Sequence, residues 1–371
     1  MSNRIEVLVV GMTSNVGGVE TFLLNICRNI DWKKFQFDFL CSSENKIAFE
    51  SELKKLGSNI YYIVPKRKNY YLHMKQIKKI FKYGKKYDVL WANLNSLANI
   101  DYIKYAKKYN YKKVIVHSHN VDNMGDRLQK IAHTLNKCRI DKIATDFWAC
   151  SKAAGKWFFP NKLGDKIQFI HNAIDIEKFK FNIEKREFYK KKFGLENNIV
   201  LGNVGRLHYQ KNQIFLINIM EKMLEKDKDY ILIIIGDGED RSFLEKTVKE
   251  KQLQNNIIFL GIQEDIGGIL SAMDCFVFPS RFEGLSITAL EAQANGIPMV
   301  VSNEALCEEG TINENIGTLD LNESVEIWCD YIMKYSNFGR KQFDKIEEDF
   351  RKKGFLITTE IKKLQKSLME F

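Results

Sequence analysis

"CFVFPSRFEGLSITALEAQANGIPMVVS", Cys275–Ser302, decides the fold. It opens on an apolar strand-like run that stops at Pro279. A glycine loop follows, then a helical stretch from about Ser286 to Asn295. Gly296 stands where helices end on a left-handed residue. A second apolar run, "PMVVS", closes the unit. Both runs are apolar throughout, as strands covered on two faces are, so the stretch reads as a parallel βαβ unit. Within it stand two carboxylates, Glu283 and Glu291. A buried carboxylate without a partner costs several kcal/mol. Either both are solvated or both have partners outside this stretch.

Working outward, the same alternation recurs. Strand-like runs fall at 6–10, 35–41, 60–64, 88–93, 113–119, 147–151 and 167–172, and again at 199–205, 230–238, 257–261, 275–280 and 298–302. Helical periods separate them. The charged segment 177–198 lacks a strand and reads as the linker between two βα series. The expected domains are 1–180, joined by a last helix at about 355–371, and 181–354. The second strand series is expected to end near residue 304, with a helical tail after it.

The 371 residues carry 57 Lys and Arg against 47 Asp and Glu, a formal charge of +10, which favours anionic partners. The seven cysteines are scattered without a CxxC pair, so neither a zinc site nor a disulfide framework is supported and a reducing compartment is expected. "MSNRIEVLVVG" reads as a first strand rather than a signal peptide, and no apolar run approaches the ~20 residues of a membrane span. No reader motif for nucleic acid is visible, and none is expected as a partner. The stretch 66–86 holds nine basic residues and no acidic one, with aromatic and aliphatic residues at helical spacing.

In open parallel sheets, ligands bind beyond the carboxyl ends of the strands. After the first strand, Gly17 and Gly18 precede a helix start, where exposed N–H groups accept an anion. After the fifth comes "HSHN", with His117 and His119. In "GRLHYQKN" (205–212), Arg206 and Lys211 flank a turn and suit a diphosphate, one as a planar fork and one as a point charge. "GDGED" (236–240) is turn chemistry from which no metal is inferred. Gly261 permits close backbone approach to a flat ring. A tight turn or solvated surface cations would explain several of these singly. Eight residues of helix would rise about 12 Å, so Glu283 and Glu291 cannot share a proton or a metal. They can bracket an elongated ligand, with hydroxyls at each end and a phosphate at the N–H groups around Gly284, Leu285 and Ser286. That describes a nucleotide sugar.

Together these motifs resemble the retaining glycosyltransferases of family 4, with the GT-B fold of two Rossmann-like domains whose parallel sheets face an interdomain cleft. "PSRFEGLSITALEAQANGIPMVVS" matches that family's Glu-x7-Glu signature. "GGVETFLLNI", "HSHN", "HNAIDIEKF", "GRLHYQKN" and "IIGDGED" follow the family's order. The likeness is greatest to bacterial enzymes of capsular or exopolysaccharide assembly. It implies that Glu291 binds the ribose hydroxyls, that Glu283 contacts the donor sugar with the amides of Gly284 and Leu285, and that Arg206 and Lys211 neutralise the diphosphate. It implies that Gly17 and Gly18 approach the phosphate and that His117 or His119 sits at the donor sugar. It also implies that the last helix returns to the N-terminal domain. The family's Asn-Gly turn is Asn172-Ala173 here, and the role of Glu308 and Glu309 stays open.

The expected reaction moves a hexosyl unit from a nucleotide sugar, a UDP-sugar by expectation, to a lipid-linked saccharide in polysaccharide assembly, with retention of configuration. Cations and helix N-termini stabilise the leaving diphosphate, so no cofactor and no divalent metal are expected. The basic stretch 66–86 is expected to dock on an anionic membrane, which places the protein in the cytoplasm at the inner face of the plasma membrane. Alternatives of other classes are a nucleotide-sugar 2-epimerase of the same fold, which needs further acid and base carboxylates, and a non-enzymatic two-domain sugar-binding protein, which predicts an export signal.

Overall fold

The computed structural model describes residues 4–121 and 126–371. The chain divides into two compact units, residues 1–173 with 357–371, and residues 174–356.

The first unit runs β1 (Ile5–Val10), α1 (Gly18–Asn29), β2 (Phe35–Ser42), α2 (Glu50–Lys55), β3 (Ile60–Ile63), α3 (Tyr70–Tyr83), β4 (Val89–Leu94), α4 (Asp101–Lys108), β5 (Lys113–Ser118), α5 (Arg127–Lys137), β6 (Asp146–Ala149), α6 (Lys152–Phe158) and β7 (Ile167–Phe169). Among the described residues the strands form a parallel seven-stranded sheet, order β3-β2-β1-β4-β5-β6-β7. The order reverses between β1 and β4, and the loops leaving those two strands flank that switch point. Gly11 ends β1 at φ +121°, where a Cβ would lie 2.1 Å from the Asn93 carbonyl of β4. Only glycine lets the two strand ends close on each other.

The second unit runs α7 (Ile183–Phe193), β8 (Ile199–Val204), α8 (Gln213–Lys226), β9 (Tyr230–Ile235), α9 (Arg241–Glu250), β10 (Ile257–Gly261), α10 (Ile266–Ala272), β11 (Cys275–Phe278), α11 (Ile287–Asn295), β12 (Met299–Ser302), β13 (Ile316–Leu319), α12 (Val325–Ser336) and α13 (Phe343–Lys353). Its parallel six-stranded sheet has the order β10-β9-β8-β11-β12-β13 among the described residues, with the switch point between β8 and β11. Two apolar clusters cover its faces, one around Met220, Tyr230 and Trp328, the other around Ile233, Phe276 and Met299. The decisive stretch folds as read: β11, a loop, α11 and β12, with Gly296 left-handed at φ +75°.

Two expectations need correction. The charged segment 177–198, read as the linker between the two series, lies wholly within the second unit and forms α7, which packs on α10. It docks through polar contacts, Arg186 to Asp274 and Lys185 to Asp265, and through the buried ring of Tyr189. The second strand series does not end near residue 304, because β13 adds a further strand beside β12. The last helix, α14 (Ile357–Met369), belongs to the first unit, where it packs on α1; Ser367 within it and Glu370 just past its end offer carbonyls to Lys113.

Candidate functional site

In the second unit, β8 and β11 are neighbours, so the loops leaving them meet at the switch point. Several hydrogen bonds knit the two loops. Gln210 donates its side-chain amide to the Phe282 carbonyl at 2.9 Å, and Asn212, left-handed at φ +57°, donates to the Pro279 carbonyl at 3.2 Å. Arg281 stacks on Tyr209, its Cζ 4.5 Å from the ring centroid, and donates to Asn212 Oδ1 at 2.9 Å. Lys211 is thereby carried over the Phe278 ring, where its Nζ lies 2.6 Å from Glu283 Oε1. Both side chains of this pair are largely buried. Glu283 has thus found the partner its sequence context lacked.

Glu291 has not. It projects from the fifth position of α11. Among the described residues its carboxyl makes no hydrogen bond or ion pair, and the residue is half-buried. Crowding by protein atoms pushes its pKa up, from an ordinary 4.5 to about 8. Ser286 caps α11, its Oγ accepting from Ala289 N at 3.4 Å, and Gly284 and Leu285 are buried in the turn before it. The remaining N–H groups of that first turn face an anion favourably.

Arg206 is held differently. Its Nη2 lies 2.8 Å from Glu239 Oε2, in the loop after β9. The other carboxylate oxygen of Glu239 lies 3.1 Å from His208 Nε2. Because His208 Nδ1 accepts from Gln210 N, Nε2 carries the proton and donates it to Glu239. These partners of Arg206 escaped the sequence reading, since Glu239 sits in a loop whose composition is ordinary turn chemistry. Gly236 beside it has φ +130°, and a Cβ there would lie 2.0 Å from the Gly205 carbonyl, so the loops after β8 and β9 meet backbone to backbone. Gly261, at the end of β10, accepts from Gly236 N through its carbonyl, and a Cβ on it would meet only the Arg241 guanidinium, at 3.4 Å.

In the first unit, the two histidines have ring centroids 4.1 Å apart but different surroundings. His117 lies within β5, fully buried, stacked on Trp91 and edge-on to Phe22 and Trp148. Neither ring nitrogen makes a hydrogen bond of ordinary geometry among the described residues. Desolvation holds its pKa well below the usual imidazole range, with neighbouring His119 acting in the same direction and the Ile170 backbone opposing. His119 stands just past the strand end and donates Nε2–H to Asn93 Oδ1 at 2.8 Å, which leaves Nδ1 a buried acceptor without a partner. Burial lowers its pKa to about 3. Both rings are therefore neutral near pH 7 and fit hydrogen bonding rather than charge stabilisation. Both rings have an unpaired nitrogen, but only His119 combines it with a position past the strand end and an orienting side-chain partner, Asn93. Asn93, which orients it, was not singled out in the sequence.

Gly17 precedes α1 in extended backbone, and Gly18 is its first residue. A Cβ on Gly17 would sit 2.8 Å from Glu20 Oε2, whereas Gly18 faces open space. Glu20 itself is buried and accepts from Thr13 N at 3.0 Å and from Thr13 Oγ1 at 2.7 Å, which fixes the loop after β1. Among the described residues no group of three or more His, Cys, Asp or Glu side chains is placed to hold a metal ion.

Two parallel α/β units with polar loops at both switch points have the architecture of the GT-B class. HepE of Anabaena, solved in complex with UDP and glucose, superposes with a TM-score of 0.78 at 18% identity, covering 99% of this chain and 100% of HepE. Residues 16–178 match the family described as "Glycosyltransferase Family 4", and residues 185–353 match "Glycosyl transferases group 1". This chain belongs to the family 4 type of glycosyltransferases. EpsF, a Bacillus subtilis (strain 168) protein bearing the name of a glycosyltransferase, is 28% identical over 366 residues, 95% of this chain and 94% of EpsF. An Escherichia coli UDP-Gal:alpha-D-GlcNAc-diphosphoundecaprenol alpha-1,3-galactosyltransferase is 38% identical over 142 residues, 37% of each chain.

Proposed function

We propose that this glycosyltransferase moves a hexosyl unit from a UDP-sugar to a lipid-linked saccharide, with retention of configuration and without a divalent metal, during assembly of a capsular or extracellular polysaccharide. The observation that carries the reading is the asymmetry of the two glutamates. Glu283 is neutralised by Lys211, while Glu291 is half-buried, has no hydrogen bond or ion pair among the described residues, and has its pKa raised by burial. A carboxylate held so is suited to vicinal hydroxyls, such as those of a ribose. Bond cleavage would develop negative charge on the diphosphate, which Arg206, Lys211 and the amides before α11 would stabilise. His119 and Glu283 would hydrogen-bond the donor sugar. UDP in the HepE structure and the lipid diphosphate in the name of the E. coli relative support the choice of donor and acceptor class. In this reading the protein works in the cytoplasm at the inner face of the membrane, where the basic α3 region meets anionic lipid. No helix among the described residues is long and apolar enough to cross a membrane.

The test is transfer itself. Purified protein is incubated with a panel of UDP-hexoses and a polyprenyl-diphosphate saccharide, with EDTA present, and products are read by mass spectrometry. A mass gain of one hexose with one UDP-sugar supports the reading. No transfer from any UDP-hexose, by protein that hydrolyses or transfers from another nucleotide sugar, refutes the donor assignment.

A further inference from the structure

The loops that leave β8 and β11 carry three permanent cations, Arg206, Lys211 and Arg281. Two of them are already neutralised, Arg206 by Glu239 and Lys211 by Glu283. Arg281, two residues before Glu283, is not. Among the described residues no carboxylate pairs with it, and its side chain meets only neutral groups. Nη2 donates to Asn212 Oδ1 at 2.9 Å, and the guanidinium carbon lies 4.5 Å from the centroid of the Tyr209 ring. Nε is buried and lacks a hydrogen-bond partner.

Holding the two loops together does not require this charge. The Arg281 amide donates to the Gln210 carbonyl at 2.8 Å, the Gln210 side chain to the Phe282 carbonyl, and the Asn212 side chain to the Pro279 carbonyl. Each of those bonds joins neutral groups. A half-buried guanidinium without a counter-ion is instead a standing cost, and such costs concentrate where a ligand relieves them. Tyr209 points the same way. Its ring is 62% exposed, so it contributes little burial to the fold, and what it touches is the guanidinium face. The stack on Tyr209 and the bond to Asn212 together fix the plane of the fork. A ligand that meets it therefore costs little side-chain freedom.

We propose that Arg281 binds a substrate phosphate as the third cation of this switch point, held in place by Tyr209 and Asn212. Arg206 and Lys211 must each leave a carboxylate to turn wholly to a phosphate, and the Lys211–Glu283 pair is largely buried and costly to open. Arg281 has no carboxylate to leave. It stands against the loop that carries Lys211, where a multiply charged anion gathers both cations, and its planar fork takes two phosphate oxygens at once. The inference rests on the proposed nucleotide-sugar donor and deepens its site. The phosphate belongs either to the donor diphosphate or to the diphosphate of a lipid-linked acceptor, and the experiment separates the two.

Full-length wild type, Arg281→Gln, Arg281→Lys and Tyr209→Leu are titrated calorimetrically with UDP and then, saturated with UDP, with farnesyl diphosphate as a soluble lipid diphosphate. Circular dichroism and thermal melting check each fold. UDP affinity is expected to fall about tenfold or more in Arg281→Gln, to recover in part in Arg281→Lys, and to fall severalfold in Tyr209→Leu. Unchanged UDP affinity with loss of farnesyl diphosphate binding assigns Arg281 to the acceptor phosphate. Affinities for both ligands equal to wild type in Arg281→Gln overturn the inference. So does an Arg281→Lys variant as weak as Arg281→Gln, because lysine keeps the charge but not the flat stack or the bond to Asn212, and cannot replace a purely structural arginine. Should both arginine variants fail to fold, the exposed Tyr209→Leu decides, and binding of both ligands equal to wild type there overturns the inference. Absence of UDP binding in wild type sinks the function reading instead.

Discussion

Replacing Glu291 by glutamine should stabilise the protein and disable it at once. Burial raises the carboxyl from 4.5 to about 8. A folded-state pKa above the unfolded value means that the folded chain binds this proton more tightly. The resulting stability is complete below about pH 4.5 and is lost progressively as pH rises through 8. At pH 7 the loss spans about two and a half pK units, or about 3 kcal/mol at 1.36 kcal/mol per unit. Because the residue is half-buried, this is an upper figure. The glutamine cannot ionise, so it escapes the cost. Differential scanning calorimetry should find the variant melting several degrees above wild type at pH 8 and close to it at pH 5. UDP affinity should fall by about tenfold to a hundredfold, since an amide is a poorer acceptor for two hydroxyls than a carboxylate. In wild type, UDP should bind more tightly as pH rises from 6 to 8, because the ionised form is the one that binds. A variant that melts at or below wild type at pH 8, or gains equally at both pH values, would refute the desolvated carboxyl.

Three further outcomes follow from the same geometry. Lys211→Ala leaves Glu283 largely buried without its cation and should cost about 3 kcal/mol in urea unfolding, with loss of UDP binding. Glu239→Gln releases Arg206 and should tighten UDP by about threefold to tenfold in calorimetry; unchanged affinity would mean that the pair does not compete with phosphate. Gly11→Ala forces a Cβ onto the Asn93 carbonyl at a positive φ, so it should destabilise the first unit by more than 2 kcal/mol and disturb the His119–Asn93 hydrogen bond, which imidazole NMR shifts report.

Much of this was legible in the sequence, and the exceptions have physical causes. Strands such as Tyr230–Ile235 are continuous apolar runs, and α11 has both a serine cap and a terminal glycine, so their limits were visible. β13 was missed because "IGTL" is short and contains glycine between polar flanks. α7 was misread because it docks through ion pairs and one buried ring instead of an apolar stripe, which leaves no periodicity to detect. At the site, the cations and carboxylates could be picked out by type and position after strands. Their pairing could not. Lys211 meets Glu283 and Arg206 meets Glu239 only because β11 and β9 flank β8, and that order is a property of the sheet. Likewise, the distinction between His117 and His119 depends on three aromatic rings brought from α1, β4 and β6.

The central claim is that the C-terminal unit binds a uridine diphosphate through Arg206, Lys211 and Glu291 without a metal. Isothermal titration of UDP, GDP and ADP into the full chain with EDTA present, repeated with Glu291→Ala, tests it most directly. The account predicts saturable UDP binding that survives EDTA, exceeds that of the purine nucleotides and is lost in the variant. Well-folded protein that binds none of the three, or binds UDP equally after Glu291→Ala, would contradict it.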